Sequence, residues 1–280
     1  MRKLLSGFVF FFFILQFAQA QSLKAGAAMR IITPDPLLPV SGGIGTPKKT
    51  LEKKGDLFAR VIVLENENRR VAIVSVDNLG WSSALGDRSR VLIKDIPDEN
   101  ILIGSTHTHS APDAYGFPDE TGKSYADLNY LDWCVRQIAE AVNEATQNLQ
   151  SASLKIAVGE AQGKIAYNYY APELYDPRVG VMQAIAEDGR DKGKNIFTLI
   201  NFAVHPEVIG SARGILSPDL CGPLYDRIHS KGGGMAIFMN GAQGGMVTAD
   251  VRLDNGKEAN TWLECIRIGN LLADEALRIV

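Results

Sequence analysis

Four apolar runs in this chain each stop at a polar or imidazole-bearing residue. That recurrence restricts the fold more than any single segment does. Residues 70–77 (RVAIVSVD) end at Asp77 and pass into Asn78. Residues 101–103 (ILI) lead through Gly104-Ser105-Thr106 to His107-Thr108-His109. Residues 195–204 (NIFTLINFAV) run straight into His205-Pro206-Glu207, and residues 235–239 (MAIFM) run into Asn240. Short β-rich runs bounded by turn residues read as buried strands. In open α/β sheets, ligands bind beyond the carboxyl ends of strands.

The segments between these runs fill in the architecture. Residues 57–65 and 70–77 form a hairpin across 66–69, and 180–187 and 195–204 form another across 188–194. Further strands are expected in 25–34 and 154–158. Helical spacing runs through 81–93 and 124–149, where Leu131, Val135, Ile138, Val142 and Ala145 share one face. Ser217-Pro218-Asp219 has the chemistry of a helix start, with a cap, a proline and an acid. Residues 258–280 give a last helix with Trp262, Ile266, Gly269 and Leu272 on one side. Hairpins alternating with long helices predict an α/β fold of mixed β-sheet layers flanked by helices. The chain stops inside the last helix, as a fragment truncated at its C-terminus would. Residues 41–46 are glycine-rich but lack the GK[ST] of a phosphate loop. They read either as a tight turn near a site or as a flexible loop.

Residues 1–20 stand apart. Arg2 and Lys3 precede an apolar core, and Ala18-Gln19-Ala20 is a small-x-small cleavage site. This is the pattern of a secretory signal peptide, so residues 21–280 form the expected exported domain, secreted or periplasmic. No later apolar run is long enough to span a bilayer. A net charge of −3, without a basic run interleaved with aromatics, argues against nucleic acid as a partner. The expected partner is a small-molecule or lipid substrate. Cys134, Cys221 and Cys265 match no metal-ribbon or CxxC spacing and read as buried thiols.

Only four histidines occur, and His107 and His109 lie two apart. In extended backbone such residues point to the same face. They are either a metal or acid–base site or two hydrogen-bonded loop histidines. With His205, two strand ends supply three imidazoles, the minimum for a His-rich divalent site such as zinc. His229, near a helix end, reads as solvated. Zinc acidifies water at neutral pH, so hydrolysis is the natural chemistry.

Several stretches together carry a resemblance: AGAAMRIITP, GDLFARVIVL, STHTHSAPD, NFAVHP, SPDLCG and NGAQGGM, in that order over nearly the whole mature chain. The chain resembles the N-terminal catalytic domain of the neutral/alkaline (non-lysosomal) ceramidases, without a C-terminal Ig-like domain. The resemblance implies a zinc-dependent amidohydrolase acting on an amide-linked lipid. It makes His107 and His205 zinc ligands, places His109 beside the reacting group, and puts Asn240 at the head of the catalytic turn. The family's remaining Glu and Tyr ligands have no matching positions before Val280. Its serine-bearing turn reads Asn240-Gly241-Ala242-Gln243-Gly244-Gly245-Met246-Val247-Thr248 here, with Gly245 at the family's Asp and Val247 at its Ser. Its arginine near the site is not evident around Asn168. A related acyl amide or ester is an equal substrate for a zinc-activated water. A second reading is an exported, non-catalytic binding module that has lost the nucleophile. A third is a two-metal esterase or phosphatase using Asp77, Asp113, Asp219 and Asp250.

Overall fold

The fold is given by a computed structural model, which describes residues 23–43, 45–67, 69–244 and 246–280. The expected leader at 1–20 lies outside the described residues. Eight strands form the main sheet: β1 (Lys24–Ile31), β2 (Phe58–Asn66), β3 (Arg69–Val76), β4 (Ile101–Ser105), β5 (Gln150–Glu160), β6 (Arg178–Ala186), β7 (Asn195–Phe202) and β8 (Met235–Asn240). Their order is β8-β7-β6-β5-β1-β2-β3-β4. Helices α1 (Ser83–Arg90), α2 (Leu128–Gln147), α3 (Cys221–Ser230) and α4 (Trp262–Ile279) lie between and after them. Mixed layers flanked by helices, as the patterning predicts, are what forms. Among the described residues, no helix is long and apolar enough to cross a membrane.

The element order repeats. Strand, hairpin, helix, strand, helix describes β1 through α2, and it describes β5 through α4 again. In each half the last two strands pair in parallel, β3 with β4 and β7 with β8, while the other pairings are antiparallel. Parallel neighbours need a crossover. Here α1 and α3 provide one in each half.

The two halves meet edge to edge over only two residue pairs, Lys24 with Ser151 and Ala25 with Gln150. Beyond that junction the sheet folds back on itself. Alternation along each strand supplies one face to a helix and the other to the opposite half. Val61 and Val63 of β2 and Val74 and Val76 of β3 pack under α2. Val181, Ile200 and Phe238 pack under α3 and α4. Ala25 and Ile62 from the first half share a third cluster with Ala184, Phe197 and Ile237 from the second. The layers are therefore helix, strand, strand, helix. Ser75 Oγ donates to the Phe238 carbonyl and Arg60 Nη1 to the Ala236 carbonyl, so polar contacts also cross between halves.

Helix boundaries are shorter than periodicity predicts, and caps explain why. α2 starts at Leu128, not at 124, because the Asp127 carboxylate accepts from Tyr130 N–H. α4 starts at Trp262, where Thr261 accepts from Glu264 N–H; its buried face centres on Cys265, Ile268, Gly269 and Leu272, with Ile266 only half-buried. At Gly269 a Cβ would meet the Leu220 carbonyl oxygen at 2.4 Å, so α4 approaches the start of α3 as closely as backbone allows. The Ser217-Pro218-Asp219 start is a correction. Ser217 Oγ accepts from Asp219 N–H, Asp219 adopts φ 56°, and the helix begins only at Cys221.

Phe197 is fully buried in the cluster that joins the halves. Phe197→Ala is expected to cost about 3–5 kcal/mol of unfolding free energy in a urea titration. A loss under about 1 kcal/mol would show that the halves do not depend on that cluster.

Candidate metal centre

Folding the sheet brings the carboxyl ends of the two parallel pairs together. β4 ends at Ser105 and releases the loop carrying His107 and His109; β7 ends at Phe202 and releases the loop carrying His205. The three rings form a triangle with centroid separations of 4.8 Å (107–109), 4.9 Å (107–205) and 5.8 Å (109–205). Their ligand nitrogens all lie within 4.8 Å of one another. His229 stays away, exposed in the last turn of α3. Extended backbone is not what aims His107: it has φ 69°, a left-handed conformation. The chain turns there, so His107 and His109 converge from a loop and not from a strand face.

Hydrogen bonds assign the ring nitrogens. His107 Nδ1 lies 2.5 Å from the Leu79 carbonyl oxygen and His205 Nδ1 lies 2.8 Å from the Val247 carbonyl oxygen. A carbonyl only accepts, so both Nδ1 atoms carry the proton and both Nε2 atoms keep a free lone pair. His109 Nε2 is buried without a partner. Burial is the main cause that lowers the His107 pKa. His109 is pushed down to about 3, by burial first and then by the other two imidazoles; the Glu207 carboxylate lies 3.5 Å from its Nδ1. Three half-buried imidazoles whose ligand nitrogens converge suit a borderline divalent metal such as zinc.

The loops are held from below. Thr106 N–H donates to Val76 O, and His107 N–H to Asn78 O, tying the first loop to the end of β3. His109 N–H donates to Pro206 O at 3.1 Å, tying the two histidine loops to each other. The buried Asp219 carboxylate accepts from Val208 N–H at 3.2 Å and Ile209 N–H at 2.9 Å, clamping the second loop. Gly42, in the glycine-rich stretch, backs the first loop. A Cβ there would meet Ser211 Oγ at 2.6 Å and the His109 carbonyl oxygen at 3.4 Å. Gly43 and Gly45 have open space around them, so the close approach is made at Gly42; Ile44 lies outside the described residues.

Asn240 ends β8 beside the triangle. Its Nδ2 donates to the Thr106 carbonyl, and its Oδ1 is buried without a partner. Val247 is buried in the second core and contributes only its carbonyl, to His205. Thr248 is half-buried and lines a cavity of about 230 Å³ with Tyr169, Glu207, Glu258 and Asn260. Gly245 lies outside the described residues. Asn168 caps its own loop, accepting from Tyr170 N–H and Ala171 N–H. Tyr167 is buried under the Arg252 guanidinium.

The carboxylates do not assemble a two-metal site: among the described residues the histidine triangle is the metal-competent group. Asp113 accepts from Tyr115 N–H in a turn, and Asp250 pairs with Arg252. Asp77, at the end of β3, accepts from Phe58 N–H and faces Tyr225 Oη. The three cysteines are buried, which pushes the Cys134 thiol to about 12 and raises Cys221 and Cys265 as well. The Asp219 clamp and the Glu207 side chain are what sequence reasoning missed. The only signal for the latter is an acid two residues after His205.

No family profile and no curated protein sequence matches the chain. Solved structures do. Neutral ceramidase from Pseudomonas aeruginosa superposes with a TM-score of 0.76 at 19% identity, over 93% of this chain and 45% of that one. A structure described as ceramidase complexed with C2 superposes with a TM-score of 0.73 at 18% identity, over 92% of this chain and 44% of that one. The fold is therefore ceramidase-like, and this chain spans slightly less than half the length of those proteins.

Complete burial raises the Asp77 pKa to about 6, against the opposing pull of Arg60 and the Phe58 N–H. A raised folded-state pKa gives stability that is fully present below the unfolded value, near 3.9, and lost as pH rises through 6. Asp77→Asn is expected to gain on the wild type by up to about 3 kcal/mol between pH 4 and pH 7 in urea titrations. A gap independent of pH would contradict a buried, late-ionising Asp77.

Proposed function

We propose that this chain is an exported zinc-dependent hydrolase of an acyl amide or ester, with an amide-linked lipid of the ceramide type as the favoured substrate class. The observation that carries the reading is the triangle of His107, His109 and His205, all three with a nitrogen free for a metal. The ceramidase-like fold and the leader-like residues 1–20 support it. His107 and His205 would hold the metal through Nε2, and His109, expected from the sequence beside the metal, would join them through its unpartnered Nε2.

Zinc bound there would acidify water towards a pKa near 7 and polarise a carbonyl oxygen. The chain's own residues bind and orient. Asn240 Nδ2 is committed to the Thr106 carbonyl, so Asn240 Oδ1 is left to accept a hydrogen bond from the N–H or O–H of a substrate. The main-chain carbonyls of Leu79 and Val247 hold the ring tautomers. The resemblance sets Val247 at the family's serine, and its side chain lies in the core. This reading takes a water as the nucleophile.

That same valine favours a second reading, a non-catalytic binding module on the same scaffold. Elemental analysis and an acyl-amide hydrolysis assay separate the two. The purified chain is expected to hold about one zinc per molecule and to release fatty acid, with both lost in His205→Ala. Zinc without turnover would favour the binding module. Zinc content unchanged in His205→Ala would overturn the site.

A further inference from the structure

We propose that Glu207 is the positioning residue for His109: its carboxylate accepts a hydrogen bond from His109 Nδ1–H and so directs the Nε2 lone pair into the space shared with His107 and His205. The inference rests on the metal-centre reading above and extends it.

The asymmetry of the triangle points to this role. His107 and His205 each give Nδ1–H to a main-chain carbonyl. Nδ1 of His109 instead faces Glu207 Oε2 at 3.5 Å, while its Nε2 is buried and unpartnered. At 3.5 Å the pair is in close electrostatic contact, a few tenths of an ångström beyond hydrogen-bond distance. Among the described residues, His109 is the one ion-pairing neighbour of Glu207.

Glu207 is also held where it must be. Its N–H donates to the His205 carbonyl at 3.0 Å, the preceding carbonyl of Pro206 accepts from His109 N–H, and the next two N–H groups are taken by Asp219. The backbone on both sides of Glu207 is thus fixed relative to the His109 loop. Glu207 also lines the 230 Å³ cavity. A carboxylate on the far nitrogen of a liganding histidine fixes the tautomer and strengthens the donor nitrogen.

The test combines imidazole ¹⁵N NMR of the metal-free chain with zinc affinity measured by chelator competition. The variants are Glu207→Gln, Glu207→Ala, His109→Ala and the double variant of the last two. Wild type is expected to show His109 as the Nδ1–H tautomer, and Glu207→Ala to shift it towards Nε2–H. Glu207→Ala should weaken zinc binding by about 10- to 100-fold, with Glu207→Gln in between because its amide oxygen still accepts. In the His109→Ala background, Glu207→Ala should have no further effect. An equal loss in both backgrounds would overturn the proposal, since Glu207 would then act on the metal or the fold directly. If wild type binds no zinc, the metal reading fails and the tautomer decides alone. An unchanged Nδ1–H form in Glu207→Ala refutes the positioning role, and a shift upholds it.

Discussion

Everything at the site depends on the sheet closing against itself. The two halves are joined edge to edge by two residue pairs, which leaves the angle between them to be set elsewhere. It is set by Ala25, Ile62, Ala184, Phe197 and Ile237, whose apolar surfaces are covered only when β1 to β3 lie over β6 to β8. That closure brings the ends of β4 and β8 side by side, with Asn240 bonded to the Thr106 carbonyl. Without it, His107 and His205 would project from opposite ends of an open sheet. The histidine triangle is a by-product of core packing as much as of its own sequence.

On that frame, the loops are positioned almost wholly through main-chain groups. Leu79 and Val247 lend carbonyls to the imidazoles, and Pro206 lends one to the His109 amide. Such contacts tolerate substitution of the residue that provides them, provided the backbone stays in place. This explains how Val247, its side chain in the core, orients His205 through its carbonyl alone. Side chains matter where backbone cannot reach, as at Asp219, whose carboxylate gathers three amides.

Strands, hairpins and the three histidines were legible in the sequence because each signal is local. Alternation and β-branched runs defined β2, β3, β6 and β7 within one or two residues. Caps were harder. Asp127 and Thr261 resemble other polar residues upstream, and Ser217-Pro218-Asp219 has the chemistry of a helix start while its carboxylate is taken by amides ten residues earlier in the chain. The left-handed turn at His107 was not legible either, because nothing local distinguishes it from extended backbone. The closure of the sheet is a property of two surfaces distant in sequence, and no window of residues contains it.

The repeated element order carries a thermodynamic consequence. The first half contributes His107 and His109, and the second contributes only His205. Neither half owns a complete ligand set, so any guest gripped by all three rings adds a tie between the halves beyond their shared core. Occupancy then acts on the native state alone, and a guest at a hundred times its dissociation constant would add about 2.7 kcal/mol to the stability of the folded chain. The guest would in this way be part of the architecture before it takes part in any chemistry.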